Sequence, residues 1–173
     1  GKGYGKIQIN VSLSSFSPKS HTPFQWEKKN TKEEIWEKIN LLRSELKPVK
    51  QIKLSWQDAA LSEIETILGR GDRRLATVIY SAWKNGAKFD GWHEMFNQDN
   101  WLQAFDDNKV DRTNYLTEIP ETLPLAWDHI DKGVSKEWLW RERERAHATE
   151  EFPEPEGGDF NLADLIQAQT PAA

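Results

Sequence analysis

Cysteine is absent from the 173 residues. The chain therefore carries no disulfide, no thiolate zinc site, no cysteine nucleophile and no thiolate-held iron–sulfur cluster. Methionine occurs once, at Met95, and the first residue is Gly1, which reads as a processed chain or a piece of a longer protein. No apolar run approaches the roughly 20 residues of a membrane-spanning helix, and the N-terminus lacks the succession of charged, apolar and small residues of a signal peptide. The compartment expected on these grounds is the cytoplasm, or the stroma or matrix of an organelle if the source is eukaryotic. Hydrophobic residues are sparse, at 37% with a mean hydropathy of -0.78. A core must therefore rest on large side chains, and the 9 Trp and 7 Phe supply them. The net charge of -5 gives no bulk attraction to nucleic acid or anionic lipid.

What is present reads as a mixed chain. Residues 6–16, KIQINVSLSSF, alternate Ile7, Ile9, Val11 and Leu13 with polar partners, the pattern of one buried strand face. Pro18 and Pro23 then impose a shaped loop, because each removes a donor and fixes its own φ. Asn30 or Thr31 can cap the next helix, with Glu34 three residues after Thr31 completing a capping box, and its stripe is Ile35, Ile39, Leu42 and Leu46. Residues 50–56 place Ile52, Leu54 and Trp56 on one side of a second short strand. Asp58 caps a helical run with Leu61, Ile64 and Leu68, and GRGD separates that run from another with Leu75, Val78, Ile79, Ala82 and Trp83. These two runs are expected to form a helical hairpin. Gly86 reads as a helix C-terminal cap, Trp101, Leu102 and Phe105 as a further helix, and Ser135 as the cap of a last helix whose RERERA run is a solvated face. Beyond Thr149, EEFPEPEGG has linker composition, and residues 161–169 hold a short amphipathic stretch with Leu162, Leu165 and Ile166.

Several strings carry a resemblance: VSLSSFSPKSHTPFQWE at 11–27, GRGDRR at 69–74, FDGWHE at 89–94 and WDHIDKGVSKEWL at 127–139. In order and spacing they resemble the C-terminal portion of an uncharacterised radical SAM family with a cobalamin-binding-type domain, over roughly residues 6–148. The resemblance implies that residues 1–29 are the last strand and exit loop of a radical-SAM-like barrel. Residues 30–149 would then be a mostly helical C-terminal domain, and residues 150–173 an acidic linker with a short tail helix. The fold class expected is α+β, predominantly helical. The parent protein so implied binds S-adenosylmethionine and a [4Fe-4S] cluster, with cobalamin as a further cofactor open to it. None of these cofactors is expected to be held by this chain, since the family's three-cysteine motif would lie ahead of Gly1. Ser20 stands where family members commonly show a second proline, and the tail has no counterpart of a cysteine-rich segment. The partner implied is the remainder of the radical SAM protein, or a larger assembly in which the chain is a non-catalytic docking subunit.

The site residues implied by the barrel-mouth position are Lys19, His21, Thr22 and Gln25, a set able to hydrogen-bond a polar substrate or a phosphate. The alternative is that they knit the loop onto the strand end. Arg70, Arg73 and Arg74 surround a helix start and form an anion-binding candidate, set against a reading in which Asp72 caps the helix and the arginines pair with carboxylates. His93 with Glu94, and His129 with Asp128, are an acid/base or metal candidate if the two strings converge, although neither has HExxH spacing. The favoured alternative has Trp92 and Trp127 anchoring turns in the core, and His147 is expected in solvent. Leu162, Leu165 and Ile166 form a docking candidate.

Overall fold

The computed structural model describes residues 8–148. The chain runs β1 (Ile9–Leu13), α1 (Lys32–Leu46), β2 (Ile52–Trp56), α2 (Ala59–Arg70), α3 (Leu75–Lys84), α4 (Gln98–Asp107) and α5 (Lys136–Ala148), with 3₁₀ turns at His93–Met95 and Arg112–Tyr115. The class is α+β and mostly helical, with a two-stranded sheet. The tail residues Leu162, Leu165 and Ile166 lie outside the described residues.

β1 and β2 pair in parallel, with Ile9 opposite Ile52, Val11 opposite Leu54 and Leu13 opposite Trp56. That register places all the apolar alternants on one face, as period-2 geometry requires. Parallel strands need a crossover, and the loop of residues 16–29 together with α1 provides it. α1 begins on the expected capping box: the Thr31 hydroxyl accepts the Glu34 N–H at 3.2 Å, and the Glu34 carboxylate accepts the Thr31 N–H at 2.9 Å. Of its stripe, Ile35 and Ile39 are buried and Leu46 is half-buried, but Leu42 is exposed.

α2 starts at Asp58, whose carboxylate accepts the N–H groups of Ala60 and Leu61 at 2.7 and 3.0 Å. Its apolar face, Ile64 and Ile67, joins Leu75, Val78 and Ala82 of α3 and Trp101, Ala104 and Phe105 of α4 in one core closed by Tyr115. α3 runs alongside α4 rather than folding back along α2, so the expected α2–α3 hairpin is corrected. The reason is the extended backbone at Gly71 (φ -69, ψ 163), which carries the chain away from α2. Ile79 and Trp83 are consequently on the outer face of α3. Both ends of the α3–α4 pair close with the double bond of a Schellman motif: Ala87 N–H to Ala82 O and Gly86 N–H to Trp83 O after α3, Val110 N–H to Phe105 O and Lys109 N–H to Asp106 O after α4. The left-handed residue is Gly86 (φ 107) in the first and Lys109 (φ 54) in the second.

A second core of Trp26, Leu125, Trp127 and Leu139 gathers the loop after β1, the chain ahead of α5 and α5 itself. The Trp26 and Trp140 rings meet edge-on, with centroids 5.1 Å apart. The Ser135 hydroxyl caps α5 by accepting the Trp138 N–H at 3.2 Å. RERERA is not uniformly solvated. Arg143 retains 11% of its side-chain exposure and bridges Glu27 and Glu118, while its guanidinium lies 4.7 Å from the Trp140 ring centroid. The helix lays Leu139, Trp140 and Arg143 against the Trp26 region, which brings these residues inward. His147 follows on that side, exposed as expected, and meets the Glu27 carboxylate at 2.8 Å.

Candidate functional site

The loop leaving β1 is where the sequence candidates assemble. Pro18 is buried, the Thr22 hydroxyl donates to Lys19 O at 2.7 Å, and the Gln25 N–H donates to Thr22 O at 3.1 Å, so two successive turns fold the chain tightly. His21 sits in the left-handed region at φ 56, a conformation costly for a residue with a Cβ. What holds it there is Gln25, whose buried side-chain oxygen accepts the His21 N–H at 2.9 Å and the Trp127 indole N–H at 2.7 Å. One amide oxygen thus ties SPKSHTPFQW to WDHID across the second core. Asp128, next to Trp127, accepts the Leu125 N–H at 2.9 Å and the Lys136 ammonium at 3.0 Å. Burial raises the Asp128 carboxyl pKa, but these two bonds and the nearby His21 imidazole outweigh it and hold the group below its ordinary value.

His21 is half-buried in the loop that leaves β1, and Asp128 is exposed on the segment tied to that loop through Gln25, with no hydrogen bond or ion pair between the two side chains. An imidazole so placed can bind a polar group or exchange a proton with it. The other loop candidates are committed elsewhere. Lys19 pairs with Glu65 of α2 and, against burial, holds that carboxyl below its usual range. Thr22 closes its turn, and the Gln25 side-chain oxygen is engaged in the two bonds just described.

Beneath the loop lies a cluster that sequence reasoning did not find. Lys29 is 5% exposed, and its ammonium donates to Phe16 O at 2.6 Å, to the Ser62 hydroxyl at 2.6 Å and to the Ser17 hydroxyl at 3.3 Å. The Thr66 hydroxyl stands 3.0 Å from Ser17 Oγ. Burial pushes the Lys29 pKa down to about 8, with Glu65 and Glu63 acting against that shift and Lys19 with it. One turn further along α2, Arg70 is 3% exposed and donates to Glu27 O at 2.9 Å and Thr117 O at 3.0 Å. The same segment is sewn to its neighbour by Lys29 N–H to Leu116 O and Ile119 N–H to Trp26 O, both at 2.8 Å. A signal for this was present: Ser62, Thr66 and Arg70 are spaced by four, a polar stripe on a helix that otherwise reads as amphipathic.

Arg70 is therefore a structural clamp, turned away from any anion at the start of α3. Arg74 is likewise held by Asp72, with Nε at 3.0 Å and an Nη at 2.6 Å from the carboxylate, which leaves Arg73 as the member of the trio uncommitted among the described residues. Asp72 also accepts the Arg74 N–H at 2.9 Å, but Arg74 is the N-cap of α3, which has no side-chain cap, so Asp72 holds the turn ahead of the helix rather than capping it. The His93–Met95 turn precedes α4 at the first core, and Glu94 there is exposed, whereas Asp128 and His129 stand at the second. Among the described residues no cluster of three or more His, Asp or Glu side chains is arranged to hold a metal ion. Trp127 anchors the second core as expected, but Trp92 is 60% exposed. The turn is fixed from below instead, by Asp90 accepting the Trp101 indole N–H at 2.9 Å, which leaves Phe89 and Trp92 facing outward.

None of the described helices is long and apolar enough to cross a membrane. A [4Fe-4S] cluster has no fit here, because the chain contains no cysteine to ligate one. Comparison with known proteins finds no family model, no curated protein and no solved structure that matches the chain.

Proposed function

We propose that this chain is the C-terminal, non-cluster-binding part of a radical SAM protein, where it closes the barrel and shapes the substrate side through the His21 loop. The observation that carries the reading is the parallel pairing of β1 with β2 through the loop and α1. Parallel sheets are ordinarily covered on both faces and extended by further strands, and ligands are bound beyond the C-terminal ends of those strands. The loop that carries His21 leaves that end of β1. On this reading S-adenosylmethionine, the cluster and any cobalamin are held by residues outside this sequence, and the chain alone performs no radical chemistry. His21 is the group offered to a polar substrate, with Gln25, Thr22 and Trp127 as positioning residues.

A second reading, a degenerate homologue serving as a docking subunit, is favoured by one observation. Tyr80 and Trp83 stack in the open on α3, with the Lys84 ammonium 4.6 Å from the Tyr80 ring centroid, beside the exposed Phe89–Trp92 pair. Intact mass and peptide mapping of the native protein from its source separate the two. A three-cysteine motif covalently joined ahead of Gly1 is the expected result. A mature native protein that begins near Gly1 would overturn the radical SAM assignment and leave the docking subunit.

A further inference from the structure

A shallow groove of about 570 Å³ runs between the second half of α1 and β2. Leu46, Val49, Ile52 and Leu54 contribute to its lining, each half-buried, so the stripe of α1 and the apolar face of β2 leave hydrocarbon uncovered here. Arg43, Lys47 and Lys50 stand around it, and no carboxylate among the described residues forms an ion pair with any of them. An apolar groove rimmed by such cations in a chain of net charge -5 suits an occupant both apolar and acidic.

Residues 150–173 have that chemistry. They carry Glu150, Glu151, Glu154, Glu156, Asp159 and Asp164 with no lysine or arginine, and they place Leu162, Leu165 and Ile166 at helical spacing. Reach permits the contact. α5 ends at Ala148. An extended chain gains about 3.3 Å per residue, so Leu162 can lie up to about 45 Å from Ala148, more than the roughly 35–40 Å breadth of a domain this size. Affinity is no obstacle either. A shallow groove would hold a free peptide poorly, but a tethered segment acts at a local concentration near the millimolar range.

We propose that the acidic segment 150–173 of this chain docks in the α1–β2 groove, with Leu162, Leu165 and Ile166 on the apolar floor and its carboxylates against Arg43, Lys47 and Lys50. The inference is independent of the radical SAM assignment. It is tested in the full 173-residue chain with a photo-crosslinking phenylalanine analogue at position 165, using mixed isotope-labelled and unlabelled protein. The expected products are intramolecular and map to residues 40–54. Their yield falls roughly tenfold in K47E/K50E and declines with salt, since exposed charge pairs are screened. Circular dichroism equal to that of the parent chain shows that the charge reversal leaves the fold intact. Products between labelled and unlabelled chains, products mapping to the Tyr80–Trp92 surface, or a yield indifferent to the charge reversal would each overturn the assignment.

Discussion

Lys29 makes a sharp prediction about pH. In the unfolded chain its amine titrates near the ordinary lysine value of 10.5, whereas in the folded protein burial among Phe16 O, Ser17, Ser62 and Thr66 lowers it to about 8. Between those values the unfolded state binds the proton and the folded state does not, so stability rises with pH through that window. Worked from the two values, raising the pH from about 7.5 to about 9.5 adds about 2 kcal/mol to the unfolding free energy. The neutral amine still has hydrogens for Phe16 O and Ser62 Oγ, so deprotonation does not dismantle the cluster. Urea unfolding followed by tryptophan fluorescence at a series of pH values, on the parent chain and on Lys29→Met, isolates the effect as the difference between the two curves. Lys29→Arg, which stays charged throughout, serves the same purpose should the methionine variant not fold. The window should close near pH 10, where Tyr115, raised by burial and by Asp72, begins to act in the opposite sense. Parallel pH curves for parent and variants, or a parent stability that falls between pH 8 and 9.5, would refute the reasoning.

Three further outcomes rest on packing. Arg70→Ala strands the carbonyls of Glu27 and Thr117, and should cost about 2–4 kcal/mol in chemical denaturation. Gly71→Ala brings a Cβ to 2.1 Å from Leu75 Cδ1 and 3.0 Å from Ile67 O, forcing a buried leucine from its place. Its expected cost is about 1–3 kcal/mol, read as a lowered melting temperature. Lys109→Gly relieves a left-handed residue at the end of α4 and should stabilise by about 0.5–1 kcal/mol, with the gain in melting temperature as the check.

Much of the secondary structure was legible because its causes are local. Thr31, Asp58 and Ser135 cap the helices that the sequence assigns them to, and Gly86 adopts the positive φ that its position requires. The alternation in residues 9–13 and 52–56 is enough to read two strands, but their parallel register depends on the crossover between them. The site was legible as separate strings only. No spacing rule links residue 25 to residue 127, and the single oxygen that joins them belongs to a glutamine indistinguishable in sequence from a solvated one. Trp83 and Trp92 were misplaced for a related reason: hydrophobicity favours burial but does not say which of several aromatic faces the core has room for.

The sequence by itself determined what needs only nearest neighbours or bare composition: the absence of thiolate chemistry, the helix starts and the proline-bounded loop. Tertiary structure decided which polar side chains would be buried. Ser62, Thr66, Arg70, Gln25 and Lys29 are ordinary surface residues by type; Arg70, Gln25 and Lys29 are inside because each supplies a donor or acceptor to a loop backbone that must leave water, and Ser62 and Thr66 because their hydroxyls meet Lys29 and Ser17. The same distant contacts fix the His21 loop, since the Gln25 oxygen that accepts the His21 N–H also accepts the indole N–H of Trp127, and only the folded chain brings those two residues together.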